Sequence, residues 1–203
     1  MKKKMPFYLL AAVCLLLFVS LWKNFSYAEE KSQLKNGLLY DSYYALREIR
    51  LGLDELILGA EAGTLPDEEC ENKLISIFGN FTELHVSLKN FAAYFPASGT
   101  RNCYSGFPDF DFIGWTLVGG EGEINGSRYS CIMLDHAISD EELQYLSGLR
   151  GCTDAMMEAM APAGDLEQIS EISSFYLDEV ISAFLGKFAP ANEDNLVRLL
   201  FEE

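Results

Sequence analysis

PDEECENKLISIFGNFTELHVSLKNFAAYF, residues 66–95, carries the cleanest periodicity in the chain. Leu74, Ile77, Phe81, Leu84, Leu88, Phe91 and Phe95 step by three and four, which lays them on one helical face. Thr64 is placed to cap this helix and Pro66 is tolerated in its first turn. Asp67, Glu68 and Glu69 suit the positive end of the helix. Upstream, residues 31–62 predict another amphipathic helix through Leu39, Tyr43, Leu46, Leu53, Ile57 and Ala60. Arg50 interrupts that seam, with Ile49 beside it. Gly63 is the expected stop. So short a connection makes the two helices antiparallel neighbours.

Downstream the pattern breaks. Residues 96–138 hold Pro96, Pro108 and seven glycines among dense aromatics. Residues 112–118 read as a strand, Asn125-Gly126 as a two-residue hairpin turn, and 128–133 as the returning strand. Ser139 with Glu142 forms a capping box, which opens a helix over 140–160. Its inward candidates are Leu143, Leu146, Leu149, Met156, Met157 and Met160. The three methionines read as core stripe. Pro162 and Gly164 turn the chain into a helix over 165–187, with Leu166, Ile169, Ile172, Tyr176, Val180 and Phe184 inward. Asn192 is placed to cap a last short helix over 192–202. The expected fold is mainly α: an antiparallel four-helix-bundle-like domain with a small β-hairpin-like insert, 96–138, between helices 2 and 3.

At the other end, Lys2, Lys3 and Lys4 precede an apolar run over 7–22, closed by Lys23. The run falls between a signal-peptide core and a spanning helix in length. Ser26-Tyr27-Ala28 fits a cleavage site, so anchor and cleaved signal both stand as readings. Residues 1–28 are then the signal or membrane anchor, and 29–203 a single extracytoplasmic domain facing outward, or secreted after cleavage at Ala28. All 31 acidic residues lie beyond Ala28, against 11 basic ones, a net charge of −20. That balance opposes nucleic acid, whose binding requires neutralised phosphates, and peripheral attachment to anionic membranes.

In an oxidising compartment, Cys70, Cys103, Cys131 and Cys152 are candidates for two disulfides, Cys103 with Cys131 and Cys70 with Cys152. Cys14 reads as part of the apolar run. No pair has zinc or thioredoxin-type spacing. The two histidines, His85 and His136, read as boundary and loop residues. HExxH, GxSxG, P-loop and GxGxxG motifs are all absent. Asp109, Asp111, Glu121 and Glu123 are the best candidates for a divalent cation such as calcium. The same carboxylates, beside Trp115, Tyr104 and Phe110, are also candidates for glycosidase or sugar-binding work.

No catalytic constellation emerges, and no cofactor is expected. The leading expectation is a non-enzymatic helical domain that interacts with an envelope protein or senses a small ligand. The first helix is a candidate homodimer seam. A wall-polysaccharide hydrolase or carbohydrate-binding protein, and a small-ligand or calcium-binding bundle, are the alternatives.

Overall fold

The computed structural model describes residues 5–96, 109–124, 127–133, 138–189, 192 and 195–200, with side chains from 13 onward except those of 124 and 127. The described chain is mainly helical, with a small antiparallel hairpin. Helix α1 spans Met5–Glu61, α2 Asp67–Tyr94, α3 Phe110–Val118, α4 Asp140–Met160 and α5 Ser174–Gly186. Strands β1, Gly122–Ile124, and β2, Ser127–Tyr129, pair with Ile124 opposite Ser127. The chain divides into two compact units, Met1–Gly37 and Leu38–Glu203.

The first unit corrects the expectation of a membrane anchor. Among the described residues no helix is long and apolar enough to cross a membrane. Leu16, Phe18, Leu21 and Trp22 are exposed in this unit. Ser26, Tyr27 and Ala28 lie within the continuous helix α1.

In the second unit α1 and α2 bury the faces that their sequence periods predict. Leu39, Tyr43, Leu46, Leu53 and Ile57 are buried on α1, as are Leu74, Ile77, Phe81, Leu84, Leu88 and Phe91 on α2. Ile49 is fully buried in the place of Arg50. Arg50 instead reaches α4, where its Nε donates to Asp154 at 2.6 Å. Arg150 donates to Asp54 at 3.2 Å. The pairs 50 with 154 and 54 with 150 run in opposite order, so α1 and α4 pass in opposite chain directions. The guanidinium and carboxylate groups are partly exposed, so these pairs add register more than stability. Gly63, at φ 60, ends the turn after α1, where the Thr64 N–H donates to the Gly59 carbonyl. The cap of α2 is therefore not Thr64: Pro66 occupies that position without a side-chain bond.

Two elements differ from their sequence readings. Residues 112–118 belong to helix α3, not to a strand. The Asp109 carboxylate accepts from the Phe112 N–H at 2.8 Å and starts the helix. Phe110, Ile113, Gly114 and Leu117 then follow a helical period and are buried. Phe112 and Thr116 are buried as well, so no polar face marks the period. Gly114 lets α3 lie close on α2, since a Cβ there would stand 2.7 Å from the Phe78 ring. The second difference lies in 165–187, which is not one helix. Pro162–Gly164 and Leu166–Glu171 are 3₁₀ turns, with Ala163 held at φ 55, and α5 starts only at Ser174. Asp165 and Ser173 each accept from a following N–H, so two successive caps reset the helical phase. Leu177, Ile181, Phe184 and Leu185 consequently face inward, while Leu166 and Tyr176 are exposed. A last 3₁₀ turn, Leu196–Leu200, is capped by Asn195. Asn192, the expected cap, donates instead to the Gly186 carbonyl at the end of α5.

The expected disulfides are also corrected. Cys70, Cys131 and Cys152 carry free thiols. Cys103 lies outside the described residues. Cys70 stands near Glu142, whose charge acts on its thiol. Cys152 lies ten residues further along α4, about 15 Å of helix, and a disulfide requires Cα atoms within about 7 Å.

The inner ends of α3, α4 and α5 meet in aromatic contacts. Phe110 lies 5.2 Å from Phe184, Phe184 5.5 Å from Phe188, and Phe188 6.4 Å from Tyr145, between ring centroids. The circuit closes where the Tyr145 hydroxyl meets Thr116 Oγ1 at 2.6 Å. Thr116 donates its one hydroxyl proton to the Ile113 carbonyl, also at 2.6 Å, so Tyr145 is the donor in this pair. Both residues are fully buried. Thr116→Val leaves the phenol buried without an acceptor and should cost about 1–3 kcal/mol, whereas Tyr145→Phe leaves Thr116 satisfied and should cost about 0.5–1.5 kcal/mol. The double variant should be less destabilised in urea unfolding than the sum of the two; strict additivity would contradict the bond.

Candidate functional site

Helix α4 presents small residues along one outer face. Gly148, Gly151, Ala155 and Ala159 recur at spacings of three and four, and Cys152 lies beside them. Helix α5 faces them with Val180 and Ala183, and Lys187 follows at its C-terminal cap. Tyr176 donates from its hydroxyl to the Ala159 carbonyl at 3.3 Å, and Lys187 acts electrostatically on Cys152. As α4 numbers fall from 159 to 152, α5 numbers rise from 176 to 187. The two helices therefore run in opposite chain directions.

Bulky side chains lie beneath this face. Met156 and Phe184 are buried and form the floor. Small side chains above them leave a groove of about 580 Å³. That is within the size of small-ligand sites, about 300–1,000 Å³. Leu196 closes one end. Its methyls pack on Gly148, where a Cβ would come within 2.6 Å. From Gly148 to Ala159 the groove follows about three helical turns, roughly 16 Å. Among the described residues its lining is apolar apart from the Cys152 thiol and one charged side chain, that of Lys187. Burial pushes the Cys152 thiol above its ordinary range, and the Lys187 ammonium opposes that shift. The arrangement offers apolar contact and one cation, with no acid–base pair.

The carboxylates singled out from sequence sit elsewhere. Asp109 is engaged as the cap of α3. Asp111 Oδ2 faces His85 Nε2 at 3.6 Å, beyond hydrogen-bond reach. His85 is buried against α3. Glu121 and Glu123 are exposed beside and on the hairpin. Among the described residues no group of three or more His, Cys, Asp or Glu is placed to hold a metal ion. Of the aromatics, Phe110 is buried in the core. Trp115 is half-exposed and stacks edge-on against Phe78 at 5.6 Å. Tyr104, His136 and the Asn125-Gly126 turn lie outside the described residues.

Sequence reading missed the groove, because it forms where side chains are small. The available signal was the repeat of Gly and Ala at helical spacing on α4, opposite Ala183. Met156 was read correctly as core, and that core is the floor of the groove. No protein-family model matches the chain, and no curated protein or solved structure is significantly similar to it.

Burial raises Cys70, Cys152 and Tyr145 above their ordinary values, desolvation being the leading cause for each. Their neutral forms favour the folded state. The stability they contribute is whole below the ordinary thiol value of 9.0 and declines as pH rises through the folded values. The urea midpoint should therefore begin to fall as pH rises through about 9, where an unfolded thiol ionises. In the double variant Cys70→Ala/Cys152→Ala the fall should begin only in the tyrosine range. An unchanged onset would contradict the assignment.

Proposed function

We propose that the chain is a non-enzymatic ligand-binding helical domain, with the α4–α5 groove as its site. One observation carries this reading: the groove is a preformed apolar trough of about 580 Å³ over a packed floor. Its volume favours a small apolar molecule over a folded partner, since small-ligand pockets have this size. Its floor residues Met156 and Phe184 belong to the buried core. The hydrolase alternative is weaker. Asp109 serves as a cap, and Phe110 is buried away from solvent.

The antiparallel four-helix-bundle arrangement expected from sequence belongs to the same proposal. It would be built from residues 38–61 of α1 with α2, α4 and α5. The ion pairs of Arg50 with Asp154 and Lys73 with Glu55 support the first three members, and the α4–α5 pairing supports the fourth. In that arrangement α3 lies against α2 and completes the core beside α4.

The neutral dye N-phenylnaphthylamine tests the site. Its fluorescence should rise saturably on binding the full chain. Gly151→Phe and Ala155→Phe fill the groove, and a side chain at 151 enters open space. Each should weaken saturable binding about tenfold or more, equivalent to about 1.4 kcal/mol. Val86→Ser, at an exposed position of α2, should leave binding unchanged. Dye binding equal in wild type and both Phe variants would overturn the proposal.

A further inference from the structure

The groove has a chemical polarity that its volume alone does not describe. Its apolar length ends, on the Gly148 and Leu196 side, at the Lys187 side chain. Lys187 is exposed and forms no ion pair among the described residues. Among the described residues no carboxylate lines the groove. That is a departure for this chain, which carries 31 acidic residues against 15 basic ones. On the opposite side of α4 the basic side chains are paired, Arg50 with Asp154 and Arg150 with Asp54, and Lys73 of α2 pairs with Glu55 and Glu69. At the groove the cation is exposed beside an apolar trough, and no carboxylate among the described residues pairs with it.

We propose that the groove binds a free single-chain aliphatic carboxylate, its chain lying along α4 from Ala159 towards Gly148 and its carboxylate on the Lys187 ammonium. This rests on the ligand-binding reading given above and specifies its ligand. The trough is open along one side and about three helical turns long, so it suits an unbranched chain better than a bulky ring system. Burying each methylene contributes about 0.8 kcal/mol, so the chain supplies most of the affinity. The cation contributes orientation and selectivity for an anionic head. A cationic head of the same chain length would meet Lys187 as a like charge. It would lose affinity relative to the carboxylate and gain it back when salt screens the pair.

Isothermal titration of the full chain with dodecanoate, dodecanol and dodecyltrimethylammonium, each below its aggregation threshold, tests this. Dodecanoate should bind most tightly and dodecyltrimethylammonium most weakly. Lys187→Gln should weaken dodecanoate roughly fivefold, the scale of one partly exposed charge pair, and should leave dodecanol unchanged. Lys187→Glu should invert the order of the two charged probes, and Lys187→Arg should retain the wild-type order. Lys187 is exposed, and the bond that ties it to the last turn runs from Leu196 N–H to its backbone carbonyl, so these variants keep the fold. Equal affinity for all three probes, unaffected by Lys187→Glu but abolished by Ala155→Phe, would overturn the anionic ligand and leave the groove as an apolar site. Absence of saturable binding by every probe, or binding insensitive to Ala155→Phe, would overturn both readings.

Discussion

Three helices of the larger unit are held at fixed distance by one aromatic circuit. Phe110 on α3, Phe184 on α5, Phe188 just beyond it and Tyr145 on α4 touch in turn, and the Tyr145 hydroxyl returns to α3 through Thr116. Rings of this size cannot compress, and protein interiors pack as densely as organic crystals. The circuit therefore sets how closely α4 and α5 approach at their inner faces. Further out the two helices carry Gly, Ala and Val, which are too small to fill the same separation. The groove is the difference between the two layers. Enlarging the outer residues would close it without disturbing the inner circuit, and shrinking the inner rings would collapse it.

The same layering explains the polar arrangement. The Tyr145–Thr116–Ile113 relay leaves no polar group unsatisfied at the circuit, so it adds direction without a desolvation penalty. On the opposite side of α4, Arg50, Asp54, Arg150 and Asp154 interlock α1 with α4 at the surface. These exposed pairs are worth little energy, but they fix the register of the two helices. Helix α4 is thus positioned from α1 by charge, from α3 by the buried hydroxyl pair and from α5 by rings. Its remaining outward face is the one that lines the groove.

Much of this was legible in the sequence where one face is apolar and the other polar. Residues 66–95 announce α2 because every third or fourth residue is large and apolar between charged neighbours. Ser139 with Glu142 announces α4, and both reciprocal capping bonds are present. Legibility fails where that contrast disappears. Helix α3 is buried on most of its circumference, and its Phe, Ile, Trp, Thr and Val content matches strand preferences as well as a helix. Residues 165–187 mislead because Asp165 and Ser173 restart the backbone twice, so one continuous period was read through a break. The cysteines mislead because the distance from Cys70 to Cys152 depends on which ends of α2 and α4 meet. The groove carries no strong signal, since periodicity records bulk and the groove is made of its absence.

The most direct test of this account is the alkylation rate of Cys152 by N-ethylmaleimide, mapped by peptide mass spectrometry with and without dodecanoate. Cys152 is partly exposed on the groove wall, whereas Cys14 is exposed in the other unit and Cys70 and Cys131 are buried. Saturating dodecanoate should slow alkylation of Cys152 and leave the Cys14 rate unchanged. A Cys152 rate that does not change while dodecanoate is demonstrably bound would place the ligand elsewhere and contradict the account.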